Sequence, residues 1–305
     1  MNRVNTVKSI TQLHRYLEMP SPLHPLITVI PQSAFQGKVE SGNTYAFELY
    51  QISLKQGIEC TLNYGRSTYD FNDGSMVFIA PGQSAVASDI EIDPNAAGWT
   101  IAFHPDLISR SGLGKKMDQY TFFNYESNES LHLSAKEIEL ATDIAEKIES
   151  EYSQTIDRHT QSLLQSNLEL LLNYCVRFYD RQFYVRTDIN RDYLGRFEEL
   201  LNNYYLSNKP LEKGMPTVQY CGQELGLSPY YLSDLLKRET GKTALEYIHL
   251  FLIERAKSLI VEDNLSITQI ACDLGFEYPQ HFSKLFKSKT GMSPRTFKSS
   301  LKIKH

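Results

Sequence analysis

The sequence predicts a two-domain α+β chain: a small β-barrel or jelly roll with helices after it, then an all-α domain holding two helix-turn-helix motifs. Three observations predict this. Residues about 25 to 125 are cut into short apolar runs by turn residues. Residues 134 to 180 repeat apolar side chains at helical spacing. Beyond residue 190, one pattern of two short helices meeting at a glycine occurs twice. A chain of 305 residues is long enough for two separate cores.

The first domain is expected over 1–185. Arg3 and Lys8 are not followed by an apolar export segment, and no apolar run is long enough to span a membrane, so a cytoplasmic protein is expected. Candidate strands are Tyr45 to Leu54, Glu59 to Tyr64, Ser75 to Ile79 and Trp99 to Phe103. Ser41-Gly42-Asn43, Asn72-Asp73-Gly74, Pro81-Gly82 and Asp93-Pro94-Asn95 punctuate them. Many short strands with such turns read as a barrel or jelly roll. Tyr45, Tyr50, Tyr64, Phe78 and Trp99 are candidates to line an effector pocket there; each also fits an ordinary core aromatic.

Helices follow over about 134–180. Ser134 and Glu137 form a capping box, and Ile138, Ala141, Ile144, Ala145, Ile148 and Tyr152 then recur on one face. The next helix carries Leu163, Leu164, Leu168, Leu171, Leu172, Cys175 and Phe178, widened by Leu170 and Tyr174. That apolar set is broader than one buried stripe needs. It fits burial against another subunit, a homodimer, or burial between the barrel and the partner helix. Val185 to Asn190 reads as a polar connection.

The second domain is expected over 190–305. In its first motif Leu225-Gly226 forms the turn, Leu232, Leu235 and Leu236 the apolar stripe, and Thr240-Gly241 the end. In the second, Leu274-Gly275, Phe282, Leu285, Phe286 and Thr290-Gly291 repeat those roles. The turn glycines are 49 residues apart and the end glycines 50, so the second copy has one extra residue in its turn. Gly226 and Gly275 supply a positive φ between steeply angled helices, and Gly222 and Ala271 let those helices approach. Ser228-Pro229 is an N-cap with proline at the first helical position. An apolar helix, Leu245 to Val261, joins the copies.

The polar stripes face away from these cores. They are Tyr230, Ser233, Asp234 and Lys237 in the first copy, and Gln280, Ser283, Lys284 and Lys287 in the second. A helix fixed by its apolar side and offering amide, hydroxyl and ammonium groups on the other suits the major groove of double-stranded DNA. Arg238, Lys242, His281 and Arg295 are nearby candidates for DNA contact. Charge is distributed to match. Residues 1–190 carry 15 Lys+Arg against 23 Asp+Glu, while residues 191–305 carry 16 against 13. From Gln280 onward there are seven cations and no acid, the balance expected of a domain that meets phosphate.

Residues 190–305 resemble the AraC/XylS family of bacterial transcription regulators. The resemblance is carried by Ile267, Ile270-Ala271, Gly275-Phe276, Phe282, Phe286-Lys287, Gly291 and Pro294, by the upstream copy, and by Arg255-Ala256-Lys257 in the connecting helix. The family usually ends its signature with Tyr-Arg, where this chain has Phe297-Lys298. The resemblance implies a cupin-like sensor barrel before the helices, with Asp73 to Gly82 as one strand-turn element. It also implies a dimer made by helices after the barrel, a small-molecule effector, and contact with RNA polymerase if the protein is an activator.

A cupin-type metalloenzyme with a helical appendage is the rival expectation. The closely spaced histidines and glutamate such an enzyme needs are missing; His24 and His104 stand far apart. No phosphate loop or nucleophile elbow occurs. Cys60, Cys175, Cys221 and Cys272 lack metal-ligand spacing and read as reduced thiols. No metal, cofactor or catalytic residue is therefore expected.

Overall fold

The structure is a computed structural model, and it describes residues 4–35, 44–56, 63–64, 67–68, 74–86, 98–126, 129–262 and 265–302. The chain divides into two compact units, Met1–Val185 and Arg186–His305.

The first unit begins with β1 (Val4–Val7), α1 (Ile10–Tyr16), β2 (Ile27–Pro31), β3 (Thr44–Phe47) and β4 (Tyr50–Lys55). It continues with β5 (Asn63–Tyr64), β6 (Ser67–Thr68), β7 (Ser75–Ile79), β8 (Ser84–Val86) and β9 (Trp99–Phe103). Then come α2 (Gly112–Lys116), β10 (Leu131–His132), α3 (Ala135–Ser153) and α4 (Thr160–Val185). Five strands form one antiparallel sheet in the order β10-β7-β4-β9-β2. β3 lies between a parallel β1 and an antiparallel β8 in a second sheet, and β5 pairs with β6. The described strands thus lie in three sheets, and a closed barrel is not formed among the described residues.

Alternation along the strands sorts the five-stranded sheet into two faces. Ile27, Phe103, Ile101, Ile52, Leu54, Phe78 and Met76 share one face and are buried. α3 packs on β2 and α4 on β10. Tyr152 on α3 accepts the Val29 N–H at 2.9 Å. On α4, Arg181 joins the Glu137 carboxylate at 2.8 Å and the His132 carbonyl at 2.6 Å. The opposite face supplies Ile30 and Ala102 to a cluster with Val7, Ile10, Leu13, Leu17 and Leu49, so α1 covers part of that side.

Strands Ser75–Ile79 and Trp99–Phe103 are those the sequence predicted. The predicted Tyr45–Leu54 strand is two strands, because the chain crosses between sheets at Glu48-Leu49: the Glu48 N–H donates to Val7, and the Phe47 N–H to Gln83. Of predicted Glu59–Tyr64 only Asn63–Tyr64 is described; 59–62 lie outside the described residues, as do 41–43, 72–73 and 93–95 of the turns. The capping box on α3 is present, with the Glu137 carboxylate accepting from the Ser134 N–H at 2.9 Å.

The second unit is helical: α5 (Thr187–Leu206), α6 (Lys209–Lys213), α7 (Val218–Leu225), α8 (Pro229–Thr240), α9 (Ala244–Val261), α10 (Ile267–Asp273), α11 (Pro279–Thr290) and α12 (Pro294–Lys302). The expected polar connection at 185–190 is a correction. Helix α4 runs to Val185 and α5 starts at Thr187, leaving only Arg186 between them. Phe197, Leu201, Tyr204 and Tyr205 give α5 a buried face, and that packing outweighs the polar look of its first turn.

Candidate nucleic-acid interface

Each motif is built by the residues that the repeat singled out. In the first, Gly226 adopts φ 70 and ends α7. A Cβ on Gly222 would lie 2.5 Å from the Leu227 carbonyl oxygen, so the turn can close there only on glycine. Ser228 Oγ accepts the Tyr231 N–H at 3.1 Å and Pro229 opens α8. Leu232, Leu235 and Leu236 are fully buried beneath it. In the second motif Gly275 has φ 84, and Phe282 and Phe286 are fully buried. Leu285 is half-buried, unlike Leu235. Phe282 meets Phe276 at 5.4 Å and Phe286 at 5.7 Å between ring centroids. Both reading helices end on left-handed glycines, Gly241 and Gly291.

The outward stripes differ in exposure. On α8, Tyr230, Lys237 and Arg238 are exposed, and Ser233 and Asp234 are half-buried. Ser233 Oγ accepts the Ala244 N–H at 3.3 Å, so this side chain also ties α8 to α9. Lys242 is exposed in the turn that follows. On α11, Gln280, His281, Lys284 and Lys287 are exposed and Ser283 is half-buried; Arg295 is exposed on α12. The structure therefore brings the predicted residues together as two helix faces within one unit.

Two neighbours escaped the sequence reading. Tyr278 is 49% exposed just before α11 and meets His281 edge-on at 5.4 Å. It holds the N-cap position of α11 that Ser228 holds for α8. Glu246 in the first turn of α9 is held below the ordinary glutamate pKa. The Thr243 N–H does most of this, then the Thr243 hydroxyl, with the charges of Lys289 and Lys237 adding to it. Its i, i+3 relation to Thr243 was the available signal. His249, on the same helix, is pushed below the ordinary histidine value by burial and then by Lys289, against Glu246.

In the first unit, three of the five pocket candidates, Tyr50, Phe78 and Trp99, have described side chains. Phe78 packs on Phe122 at 4.4 Å and Phe123 at 5.6 Å, and Tyr50 stacks on Phe103 at 5.0 Å and meets Phe123 at 5.2 Å. Trp99 instead donates its indole N–H to Thr142 on α3 at 3.1 Å. The side chains of Tyr45 and Tyr64 lie outside the described residues. On the other sheet face, Gln51 is buried and its amide nitrogen has no hydrogen-bond partner among the described residues. Ser53 and Thr100 share a hydrogen bond at 2.9 Å on that face. No group of three or more His, Cys, Asp or Glu side chains that could hold a metal occurs among the described residues. Nor, among them, is any helix long and apolar enough to cross a membrane.

Two helix-turn-helix motifs held by one connecting helix define a DNA-binding module. Residues 221–300 match the family model of a helix-turn-helix domain, and this domain is of the AraC type. Named relatives are similar over a part of the chain of comparable length. The chain is 36% identical over 73 residues to the HTH-type transcriptional regulator YobQ of Bacillus subtilis, covering 24% of this chain and 30% of YobQ. It is 36% identical over 76 residues to the transcriptional regulatory protein YesN of the same organism, covering 24% of this chain and 21% of YesN. Against the transcriptional activator RhaS of Escherichia coli it is 34% identical over 73 residues, covering 24% of this chain and 26% of RhaS. The chain thus spans less than a third of the length of these relatives. Among solved structures, the C-terminal domain of a YesN from Fusobacterium nucleatum aligns at 27% identity and TM-score 0.29, over 33% of this chain and 96% of that one. ToxT from Vibrio cholerae aligns at 13% identity and TM-score 0.29, over 89% of this chain and 96% of that one.

Proposed function

We propose that the protein is a sequence-specific transcription regulator that reads double-stranded DNA with α8 and α11 and takes its signal through residues 1–185. The observation that carries this reading is the pair of like motifs, each with a buried apolar face and an exposed polar one, on one AraC-type domain. Tyr230, Ser233, Asp234, Lys237, Arg238 and Lys242 are the contacts of the first reading helix and its end. Gln280, His281, Ser283, Lys284 and Lys287, with Arg295 beyond, are those of the second. If the helices enter successive major-groove segments, one subunit covers two half-sites about 10 base pairs apart.

The first unit acts in this reading as a cupin-like sensor and dimer platform of a cytoplasmic protein. Exposed Leu163 and Leu170 on α4 support a dimer through that helix. Gln51, whose buried amide nitrogen has no partner among the described residues, is a better effector contact than the packed Tyr50, Phe78 and Trp99. Contact with RNA polymerase follows if the protein activates, as RhaS is named to do.

Selecting DNA sites from a random pool, then footprinting the best, tests the reading. Two protected half-sites one helical turn apart are expected, with affinity falling steeply as salt rises. Protection of a single groove segment counts against it. A chain lacking residues 1–185 is expected to bind DNA and to ignore any effector; a response that survives that truncation sinks the sensor assignment.

A further inference from the structure

Gly226 and Gly275 occupy equivalent turns and share a left-handed backbone, φ 70 and φ 84. Their surroundings differ. A Cβ on Gly226 would meet nothing within 4 Å. A Cβ on Gly275 would lie 2.6 Å from the carbonyl carbon of Gly214, and 2.8 Å from both Gly214 O and Met215 N. Those are backbone atoms and cannot swing aside. Gly214 is the residue that ends α6, at φ 77. Helix α6 packs on α5 and on α10, so it bridges from the helix that carries the first motif to the second motif.

Side chains of α5 fasten the same junction. Tyr204 Oη donates to the Gly214 carbonyl at 2.9 Å. Tyr205 is buried, with Oη directed at the Leu274 carbonyl, 3.5 Å away. Arg255 of α9 lies 5.5 Å from the centre of the Tyr205 ring and donates to the Tyr205 carbonyl at 3.0 Å. Helix α5, which packs on both helices of the first motif, therefore meets the connecting helix and the second motif at the turn from which α11 departs. A helix of 12 residues is about 18 Å long, so a small displacement at that turn is carried along the whole reading face.

We infer that the close contact of Gly275 with Gly214, held by Tyr204 and Tyr205, fixes the angle and separation of the two reading helices and so sets the half-site spacing that the protein accepts. This rests on the DNA reading proposed above. Gly214, Gly275, Tyr204 and Tyr205 are positioning residues that touch no base. Moving one half-site by a single base pair shifts it about 3.4 Å along the axis and turns it by roughly a tenth of a revolution. A fixed pair of helices discriminates against that shift, and a loosened pair tolerates it.

The experiment uses the full chain and a set of duplexes in which the two selected half-sites are moved apart or together by one base pair at a time. The wild type is expected to prefer its best spacing by about tenfold. Gly226→Ala adds backbone strain without a clash, and is expected to weaken binding while keeping that preference. Gly275→Ala adds the same strain and the clash, and is expected to shift the best spacing or reduce the preference below about threefold. An unchanged preference in Gly275→Ala overturns the inference, and so does an equal change in both variants. If Gly275→Ala does not fold, the Tyr204→Phe/Tyr205→Phe chain keeps the rings and loses both hydroxyls. A broadened preference there supports the contact, and an unchanged one overturns it. A wild type that binds none of the duplexes overturns the DNA reading itself and this inference with it.

Discussion

The first motif starts its reading helix with Ser228, whose hydroxyl caps α8, while the second starts with Tyr278, which makes no side-chain cap bond. Both end alike. Thr240 returns its hydroxyl to the Leu236 carbonyl at 2.7 Å and Thr290 returns its own to Phe286 at 2.8 Å, each before a left-handed glycine. Between those ends the chemistry diverges. The first copy packs leucines and uses Ser233 to hold α9; the second packs phenylalanines and shows exposed Lys284 where the first has half-buried Asp234. Backbone geometry is what the two copies hold in common. The first copy commits more polar groups to its own fold, and the second presents more positive charge to its surroundings.

The largest expected effect tests whether each copy is a packed module in its own right. Leu232 and Phe282 are equivalent and both are fully buried. Phe282→Ala is expected to cost about 3–5 kcal/mol and Leu232→Ala about 2–5 kcal/mol, read from urea melts followed by circular dichroism. A cost below about 1 kcal/mol in either would mean that the copy lacks the closed core described for it.

Next comes the asymmetry in DNA reading. An ammonium at Lys284 can meet phosphate or a guanine edge, and the Gln280 amide can pair with adenine. An aspartate near DNA is repelled by phosphate and helps only by accepting from a cytosine amine. Lys284→Ala and Gln280→Ala are each expected to cost roughly 1–3 kcal/mol at the selected site. Asp234→Ala should cost little, or tighten non-specific binding. Titrations of the three variants on one duplex decide it. A larger loss from Asp234→Ala than from Lys284→Ala reverses the proposed ranking of the copies.

How much of this was legible depended on range. Turn glycines, the Ser228 cap, the α3 capping box and the apolar stripes are local patterns, and the structure carries each of them. The exposed stripes of α8 and α11 were readable because helical spacing alone sorts them from the buried side. What escaped was set by partners distant in sequence. The break at Glu48 depends on Val7 and Gln83, α5 on its buried aromatics, and the closeness of Gly275 to Gly214 on how α6 meets α10. For Tyr50, Phe78 and Trp99 the sequence left pocket and core both open, because an aromatic on a strand reads the same whether it faces a ligand or a helix. Tyr278 was missed because a tyrosine at an N-cap carries none of the usual capping signal.

The caps give a smaller difference. Ser228→Ala removes the acceptor of the Tyr231 N–H and is expected to cost about 1 kcal/mol. Tyr278→Ser installs an acceptor at the equivalent place but gives up the contact with His281, so a gain below about 1 kcal/mol is expected. If Ser228→Ala is neutral in the same urea melts, the cap is not what distinguishes the first copy.

The smallest expected effect concerns the helix that follows each copy. Thr243 and Glu246 form a capping box on α9, whereas the equivalent positions on α12 are Ser293 and Thr296, joined by their hydroxyls at 2.7 Å. Only the first copy therefore leads into a cap that titrates. The Glu246 carboxylate is held below its ordinary value, first by the Thr243 N–H and then by the Thr243 hydroxyl. A carboxyl whose folded pKa is depressed contributes its stabilisation fully above the unfolded pKa and loses it as pH falls through the folded one. The window thus opens near the ordinary glutamate value of 4.5 and extends below it. Glutamine at this position can still complete a capping box, so Glu246→Gln removes the charge and keeps the shape. The wild type is expected to hold a small advantage over Glu246→Gln in urea midpoint at pH 7, narrowing as pH drops through and below that value. Added salt should shrink the part owed to Lys289 and Lys237, leaving the part owed to Thr243. Thr296→Val at the second cap should show no such pH dependence. A gap between wild type and Glu246→Gln that stays constant from pH 7 to acid would mean that the carboxylate charge contributes nothing to holding α9 against the first copy.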